Sequence, residues 1–330
     1  MFYRYSTPVR SAIIKKFFGS VYVFGLISCM IMLVVFPDKY VSTAAEGLKV
    51  WAITVAPSLL PFFFLTALLT KTDGVRTFAR KTERLGDILY GSGGLSIFLQ
   101  LTSFLSGYPI GAKTIAELKK SGTITSLQAE KLSIVSSTSG PLFIVGGIGV
   151  SLFGDKTAGA LILISHLLSS VAVGIIFKRC LRSSVALPVV TEKTQNVLYE
   201  SIYSSVISVA IVGGFIAVFY TLANVFHDLG LLYPITAVLK GLFGEEIAKG
   251  VAIGLIECTT GIKAIAATGT TMQTVALSCA LVSFGGVSVW CQSIIYLGQA
   301  GARISIFALS KVLHSIISYA ICILLYVVFY

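Results

Sequence analysis

The segment GAKTIA at residues 111–116 recurs as GIKAIA at residues 261–266, and this recurrence organises the chain. An apolar stretch broken by serine and glycine follows each copy: SSTSGPLFIVGGIG begins at Ser136, and SFGGVSVWCQSIIYLG begins at Ser283. Each half then ends in an apolar segment that opens with a histidine, 55 residues after the start of the hexapeptide in the first half and 53 in the second. Similar halves with interrupted apolar segments are the pattern of a transporter built from internal repeats.

The composition is that of a membrane protein. The chain is 55% hydrophobic and 12% charged, which is about half the charge of an average soluble domain. Its uncharged runs have the length needed to cross a bilayer, about 20 residues, and they lack the alternation of barrel strands. We therefore predict an all-α membrane protein, a polytopic helical bundle. The runs lie at 17–36, 50–70, 88–112, 132–154, 157–177, 201–226, 264–302 and 312–330.

The basic residues predict how this bundle is oriented. The net charge is +11, but the basic residues lie in short loops, which indicates topology and lipid headgroup contact rather than nucleic-acid binding. The basic N-terminus is placed in the cytoplasm. Residues 17–36 are interpreted as an uncleaved signal anchor, with cleavage near Ala45 as the alternative. Residues 37–49 are expected to be a neutral outer loop.

Four segments follow from this topology. They are an N-terminal cytoplasmic segment with its anchor helix at 1–45, a first repeat at 46–182, a cytoplasmic linker at 183–200 and a second repeat at 201–330. The first repeat begins from outside and the second from the cytoplasm, so we predict inverted repeats, the arrangement that alternating-access carriers use.

Each repeat is expected to contain a re-entrant hairpin and a broken helix. In 91–122 an apolar arm ends at Gly107-Tyr108-Pro109, and an amphipathic arm follows; an ordinary span followed by a surface helix is the alternative. In 230–269 the bend falls at 245–246 or at 257–261. The uncharged run 264–302 holds 39 residues, so it must contain a turn or a break.

Glu257 is the carboxylate that stands out, because it lies inside the apolar stretch GVAIGLIECTTGIKAIAA. An ionisable group in a membrane is costly unless it is paired or hydrated, so it marks a functional site by default. Thr259 and Thr260 beside it indicate a broken helix that binds a polar solute, a cation or a proton. A salt bridge to Lys263 or Lys113 is the structural alternative.

Other polar residues occupy equivalent places in the two halves. Lys113 and Lys263 either bring a cation near the membrane midplane or extend to an interface. The serines of the two breaks either expose backbone to a cavity or allow close helix packing. His166 and His314 are either helix contacts or a proton relay. The candidate solute-binding residues are Glu257, Thr259, Thr260, Lys113, Lys263, Ser136, Ser137, Thr138, Ser139, Gly107, Tyr108, Ser283, Ser288 and Gln292.

The motifs of common enzymes do not occur. The chain has no HExxH, P-loop, GxSxG or CxxC motif, and its six cysteines are scattered through apolar segments. We therefore expect no enzyme activity, no metal site and no organic cofactor. A coupling proton or sodium ion stays open for a carrier.

Four strings resemble a known family. SGYPIGAK at 106–113, the Ser-rich break before Pro141, IECTTGIK at 256–263 and SFGGVSVWCQ at 283–292 resemble the YlbJ/SpoVV sporulation membrane proteins. That family belongs to a wider group with a nucleoside-recognition, or gate, domain, which looks related to concentrative nucleoside transporters. The family's break commonly carries asparagines where this chain has SSTSG.

The resemblance implies two gate-type repeats around a central polar site. It also implies transport of dipicolinate from the mother cell toward the forespore, in the cell membrane or the outer forespore membrane. The expected partners are a small solute and the lipid bilayer, with a homo-oligomer left open and no nucleic acid. A cation-coupled nucleoside carrier and a non-transporting assembly factor are the alternatives.

Overall fold

Helices form the whole regular structure of the described residues. The computed structural model describes residues 23–178 and 196–330, and these ranges contain no strand. Five helical segments are long and apolar enough to cross a membrane, and a bent pair adds a sixth candidate. The prediction of an all-α, polytopic membrane protein is therefore confirmed. The predictions for residues 1–22 and for most of the linker lie outside the described residues.

The first half contains nine α-helices and two π-helices within residues 23–178. They are α1 (Val23–Val35), α2 (Pro37–Val50), π1 (Trp51–Val55), α3 (Ala56–Thr70), α4 (Gly74–Lys81), α5 (Glu83–Leu89), α6 (Gly94–Ser106), α7 (Ile110–Lys120), α8 (Ser126–Val135), π2 (Leu142–Phe153) and α9 (Lys156–Phe177).

The second half contains seven α-helices within residues 196–330. They are α10 (Val197–Asp228), α11 (Tyr233–Phe243), α12 (Glu245–Ile256), α13 (Cys258–Ala266), α14 (Met272–Phe284), α15 (Gly286–Gln299) and α16 (Ile304–Phe329). The breaks predicted inside 264–302 are confirmed, because α13, α14 and α15 divide that run.

The loop predicted at 37–49 is wrong, because these residues form helix α2. Pro37 occupies the first helical position, where a missing N–H costs nothing. Asp38 in the first turn and Lys49 in the last turn each complement the helix dipole. Charges that suit a loop suit helix ends equally well. Helices α2, π1 and α3 together form one candidate span of 34 residues, Pro37–Thr70.

The same order of elements occurs in both halves. Each half contains a helix, a short break and a second helix, as α6 and α7 or as α12 and α13. A second broken pair follows, as α8 and π2 or as α14 and α15, and a long unbroken helix ends each half, as α9 or α16. The opposite orientation of the two repeats in the membrane and their boundaries stay predictions.

Helices of one half pack on helices of the other half, and the pairs they form are equivalent in the two halves. Helix α7 packs on α15, and its counterpart α13 packs on π2. Helix α8 packs on α16, its counterpart α14 packs on α9, and the two long helices α9 and α16 pack on each other. The breaks of both halves are consequently held together at the centre of the bundle.

One buried carboxylate joins the halves away from this centre. Glu130 on α8 is 2% exposed and accepts hydrogen bonds from the Nε and Nη2 atoms of Arg303, each at 2.7 Å, and from its backbone N at 3.2 Å. Arg303 immediately precedes α16. These hydrogen bonds lower the pKa of the Glu130 carboxyl.

Candidate solute-binding site

Four helix breaks meet at the centre of the molecule. A Cβ added at Gly107, in the break between α6 and α7, would lie 2.9 Å from the backbone N of Gly140, in the break between α8 and π2. In the second half, a Cβ added at Gly286 would lie 3.1 Å from the backbone N of Cys258, where α13 begins. The Tyr108 hydroxyl reaches across the halves to the carbonyl of Val282 at 3.4 Å.

A cavity opens where the breaks meet. It encloses about 530 Å³ when the open solvent at its mouth is included. Apolar side chains form most of its wall, and a few polar groups come from the breaks. Its lining residues are Val55, Leu59, Gly107, Tyr108, Ser139, Gly140, Phe143, Val212, Ile216, Glu257, Cys258, Thr259, Val282, Val289 and Gln292.

Glu257 supplies the carboxylate of this cavity. It ends α12 with extended backbone and caps α13, because its Oε2 accepts hydrogen bonds from the backbone N of Thr260 at 2.7 Å and from its Oγ1 at 2.8 Å. The residue is 1% exposed. Within residues 23–178 and 196–330 it enters no ion pair. The site therefore holds an acid whose stabilising partners are neutral donors at a helix N-terminus.

The two lysines predicted beside Glu257 lie elsewhere. Lys263 is half-exposed and faces Glu46, with its Nζ 3.7 Å from the Glu46 Oε2. The Lys113 Nζ donates to the hydroxyls of Ser204 and of Ser208, the latter at 2.9 Å. Neither lysine lines the cavity, so the salt bridge considered as an alternative for Glu257 is not formed.

The Ser-rich break at 136–140 is buried and non-helical. The backbone N of Ser139 donates to the Nε2 atom of His166 at 2.9 Å. The hydroxyls of Ser136, Ser137 and Thr138 are buried and have no hydrogen-bond partner among the described residues. Buried polar atoms without partners are uncommon, so this break keeps unused hydrogen-bonding capacity next to the cavity.

The matching break of the second half contributes three predicted residues in different ways. Ser283 places its Oγ 2.8 Å from the Nδ1 atom of His166. Ser288 is buried, and its hydroxyl has no partner in the described part of the chain. Gln292 lines the cavity. Of the predicted set, Gly107, Tyr108, Ser139, Glu257, Thr259 and Gln292 lie on the cavity wall.

The sequence interpretation missed Lys311, which lies on α16 and is 1% exposed. Its Nζ donates to the Tyr108 hydroxyl at 2.5 Å and to the Ser137 carbonyl at 3.0 Å, and it lies 3.5 Å from the Nδ1 atom of His314. The ring centroids of His314 and His166 are 4.6 Å apart. The last uncharged run of the sequence, 312–330, begins directly after Lys311. Lys311 is the only Lys, Arg, Asp or Glu within Ile304–Phe329, and this isolation is the signal that the sequence offers.

Metal-binding geometry is absent from the part of the chain that the structure describes. No group of three or more His, Cys, Asp or Glu side chains lies close enough there to hold a metal ion.

The chain is similar to a sporulation membrane protein. It is 28% identical over 313 residues to the sporulation integral membrane protein YlbJ of Bacillus subtilis (strain 168), and this covers 85% of the chain and 76% of that protein. No family model matches the chain, and no solved structure matches it. The resemblance to YlbJ is therefore confirmed, while the wider grouping with gate-domain proteins stays a prediction.

Proposed function

We propose that this YlbJ-like sporulation membrane protein is a carrier for a small polar solute, with dipicolinate as the first candidate. The observation that supports it is the cavity where four helix breaks meet, lined from both halves and containing Glu257. Broken helices that place free backbone groups at a central cavity are how many secondary transporters bind their solutes.

The cavity suits an anion with an apolar body. Helix α15 begins at a break beside it without a side-chain cap, and helix N-termini attract negative charge. Val212, Ile216 and Val289 offer apolar contact on the wall. Dipicolinate combines a flat pyridine ring with two carboxylates, so its ring would meet the apolar wall and a carboxylate the N-terminus of α15.

Glu257 has a different role in this proposal, because a carboxylate repels an anion. We assign to it the coupling cation, a proton or a sodium ion, which would neutralise Glu257 while the solute is bound. Alternating access would then come from movement of one repeat against the other around the cavity. The cell membrane or the outer forespore membrane is the proposed location, with a cytoplasmic N-terminus.

A cation-coupled nucleoside-type carrier is the second candidate. The observation that favours it is that Gln292 and Glu257 both line the cavity, because amide and carboxylate groups recognise the hydroxyls and ring edges of a nucleoside. Such a carrier would take up nucleosides in the presence of a sodium or proton gradient and would not transport dipicolinate.

The test is uptake of labelled dipicolinate into liposomes that contain the purified protein. We expect saturable uptake above empty liposomes, and Glu257→Gln should reduce it by about 10-fold or more, since a hydrogen-bonded charged group contributes about 1.5–3 kcal/mol. Glu246→Gln is the matched control. Glu246 lies on the same helix α12, but its side chain is 72% exposed and pairs with Lys249, so its uptake should equal that of the wild type.

Three other outcomes would change the assignment. Equal uptake by Glu257→Gln and the wild type would remove Glu257 from the site. Uptake of nucleosides without dipicolinate would favour the second candidate. No transport of either solute would favour a non-transporting assembly factor for the sporulation membrane, whose partners would be lost on mutation of loops.

A further inference from the structure

Three basic groups lie together at the centre without an acidic partner. The Lys311 Nζ, His314 and His166 form one cluster between α9 and α16, and each is at most 3% exposed. Among the described residues none of the three enters an ion pair with a carboxylate. The other titratable groups nearby are the hydroxyl of Tyr108 and the thiol of Cys258.

The hydrogen bonds of Lys311 provide acceptors for its N–H groups, but they provide no negative charge beside the ammonium group. Its two close acceptors, the Tyr108 hydroxyl and the Ser137 carbonyl, are both neutral. A buried ammonium group without a counter-charge costs several kcal/mol, and an anion at hydrogen-bond distance removes most of that cost. The cluster therefore lacks a negative charge beside the ammonium group, as an anion-binding site does when no anion is bound.

Tyr108 contacts both this cluster and the cavity. It is one of the residues that line the cavity, and the Lys311 Nζ lies 2.5 Å from its hydroxyl and 4.7 Å from its ring centroid. Lys311 itself does not line the cavity. Tyr108 follows Gly107, whose φ of +79° is a conformation that glycine adopts readily. The ammonium group therefore lies one side chain away from the cavity.

Unused hydrogen-bond donors adjoin the same point. Lys311 binds the carbonyl of Ser137, and the hydroxyls of Ser136, Ser137 and Thr138 are buried and unpartnered among the described residues. Hydroxyl and ammonium donors on a helix break are the groups that hold a carboxylate.

We propose that Lys311 is the residue that selects anionic solutes, and that its ammonium group binds a carboxylate of the solute when Tyr108 moves aside. The solute class is then a small organic carboxylate. This inference rests on the proposed carrier function and adds the group that makes the site prefer anionic solutes over neutral or cationic ones. Glu257 keeps its proposed role, which is to bind the coupling cation.

The test compares a dianion with a neutral molecule of the same shape. Labelled dipicolinate and labelled pyridine-2,6-dicarboxamide are measured for binding to the purified protein in detergent and for uptake into liposomes. Lys311→Met removes the charge and keeps the side-chain length. We expect it to weaken dipicolinate binding at least about 10-fold, the effect of about 1.4 kcal/mol, and to leave binding of the diamide within about twofold.

Lys263→Met is the matched control, because Lys263 is half-exposed and faces Glu46. It should leave the ratio of dipicolinate to diamide binding unchanged. Tyr108→Phe covers the case in which Lys311→Met does not fold, since it removes one neutral partner of the ammonium group and keeps the ring. We expect Tyr108→Phe to tighten dipicolinate binding several-fold and to leave diamide binding unchanged.

The outcomes separate this inference from the carrier function. Uptake of dipicolinate with an unchanged ratio in folded Lys311→Met, or in Tyr108→Phe, overturns the role of Lys311 and leaves the carrier intact. Binding that depends on Lys311 without any uptake keeps the anion site and overturns the carrier. A wild-type protein that does not bind dipicolinate, or binds it no better than the diamide, overturns the selection of anions.

Discussion

At the scale of single residues, isolation within an apolar run was an informative signal. Glu257 was singled out for that reason, and it lies on the cavity wall. The same reasoning applies to Lys311, but a lysine near the start of a span is also the usual mark of a membrane interface. The equivalence of His166 and His314 was visible in the sequence. Their ring contact was not, because it depends on how α9 packs against α16.

Two serines of α14 allow a matched test of one central hydrogen bond. Both are 0% exposed, but the Ser283 Oγ contacts the Nδ1 atom of His166 at 2.8 Å, whereas the hydroxyl of Ser278 has no partner in the described residues. Ser283→Ala leaves a buried ring nitrogen unpaired, so we expect it to lower the free energy of unfolding by about 1–3 kcal/mol. Ser278→Ala should be neutral or stabilising.

Thermal unfolding of the two variants in the same detergent gives the comparison. A decrease in the unfolding temperature for Ser278→Ala as large as that for Ser283→Ala would contradict the assigned hydrogen bond. A conservative Ser283→Thr variant keeps the hydroxyl, and we expect it to recover part of the lost stability.

At the scale of helices, the positions of helix breaks were predictable from the sequence, but the pairs of helices that pack together were not. The sequence allowed a bend at 245–246 or at 257–261, and helices end near both places, at Gly244 and at Glu257. The close contact of α12 with α13 depends on Gly254 and Gly261. Gly250 and Gly254 form a GxxxG pair, which predicts close helix packing but does not identify the helix that packs there. The predicted loop at 37–49 failed for a related reason, because charges mark helix ends as well as loops.

The contact between α12 and α13 has a strict steric limit. A Cβ added at Gly261 would lie 2.2 Å from the Cα of Gly254, which is backbone and cannot move away as a side chain can. We expect Gly261→Ala to destabilise the protein by about 1–3 kcal/mol or more and to reduce dipicolinate uptake, since Glu257 lies in the turn of this pair. Thermal unfolding and liposome uptake measure the two effects.

Gly241→Ala is the control for a glycine in a helix with open space. No atom lies within 4 Å of a Cβ built there, and alanine favours a helix over glycine by about 0.5–1 kcal/mol. We expect an unchanged or slightly higher unfolding temperature. Equal destabilisation by both substitutions would show that the contact of α12 with α13 is looser than described.

At the scale of the whole molecule, the ion pair between Glu130 and Arg303 links α8 of the first half to the start of α16. This pair is not predictable from the sequence, because its partners are 173 positions apart. The recurrence of elements in both halves, in contrast, was visible from the hexapeptides and the two histidines. The inversion of the repeats needs the membrane orientation of each helix and stays a prediction.

This ion pair predicts how stability depends on pH. The hydrogen bonds from Arg303 lower the pKa of the Glu130 carboxyl in the folded state, so their contribution to stability is complete above the ordinary glutamate pKa of about 4.3 and is lost as the pH falls through the lowered value. We expect Glu130→Gln to unfold several degrees below the wild type at neutral pH. The difference should shrink as the pH is lowered below about 4.

Thermal unfolding of both proteins across this pH range checks the expectation. Glu246→Gln, which changes an exposed carboxylate, controls for general effects of acid. If the difference in unfolding temperature between Glu130→Gln and the wild type stays constant with pH, the shape of the Glu130 side chain, rather than its charge, stabilises this contact.

The shared cavity has a consequence for the origin of the chain. Its wall takes Gly107, Tyr108 and Ser139 from the first half and Glu257, Thr259 and Gln292 from the second, although the two halves repeat the same order of helices. An ancestral gene that encoded one half would have produced a protein with half a wall, open on its inner side. Two copies of that ancestor would have had to associate before any solute could be enclosed. Joining the two genes then allowed each copy to change alone, so that one gained an acid, Glu257, where the other has a glycine, Gly107.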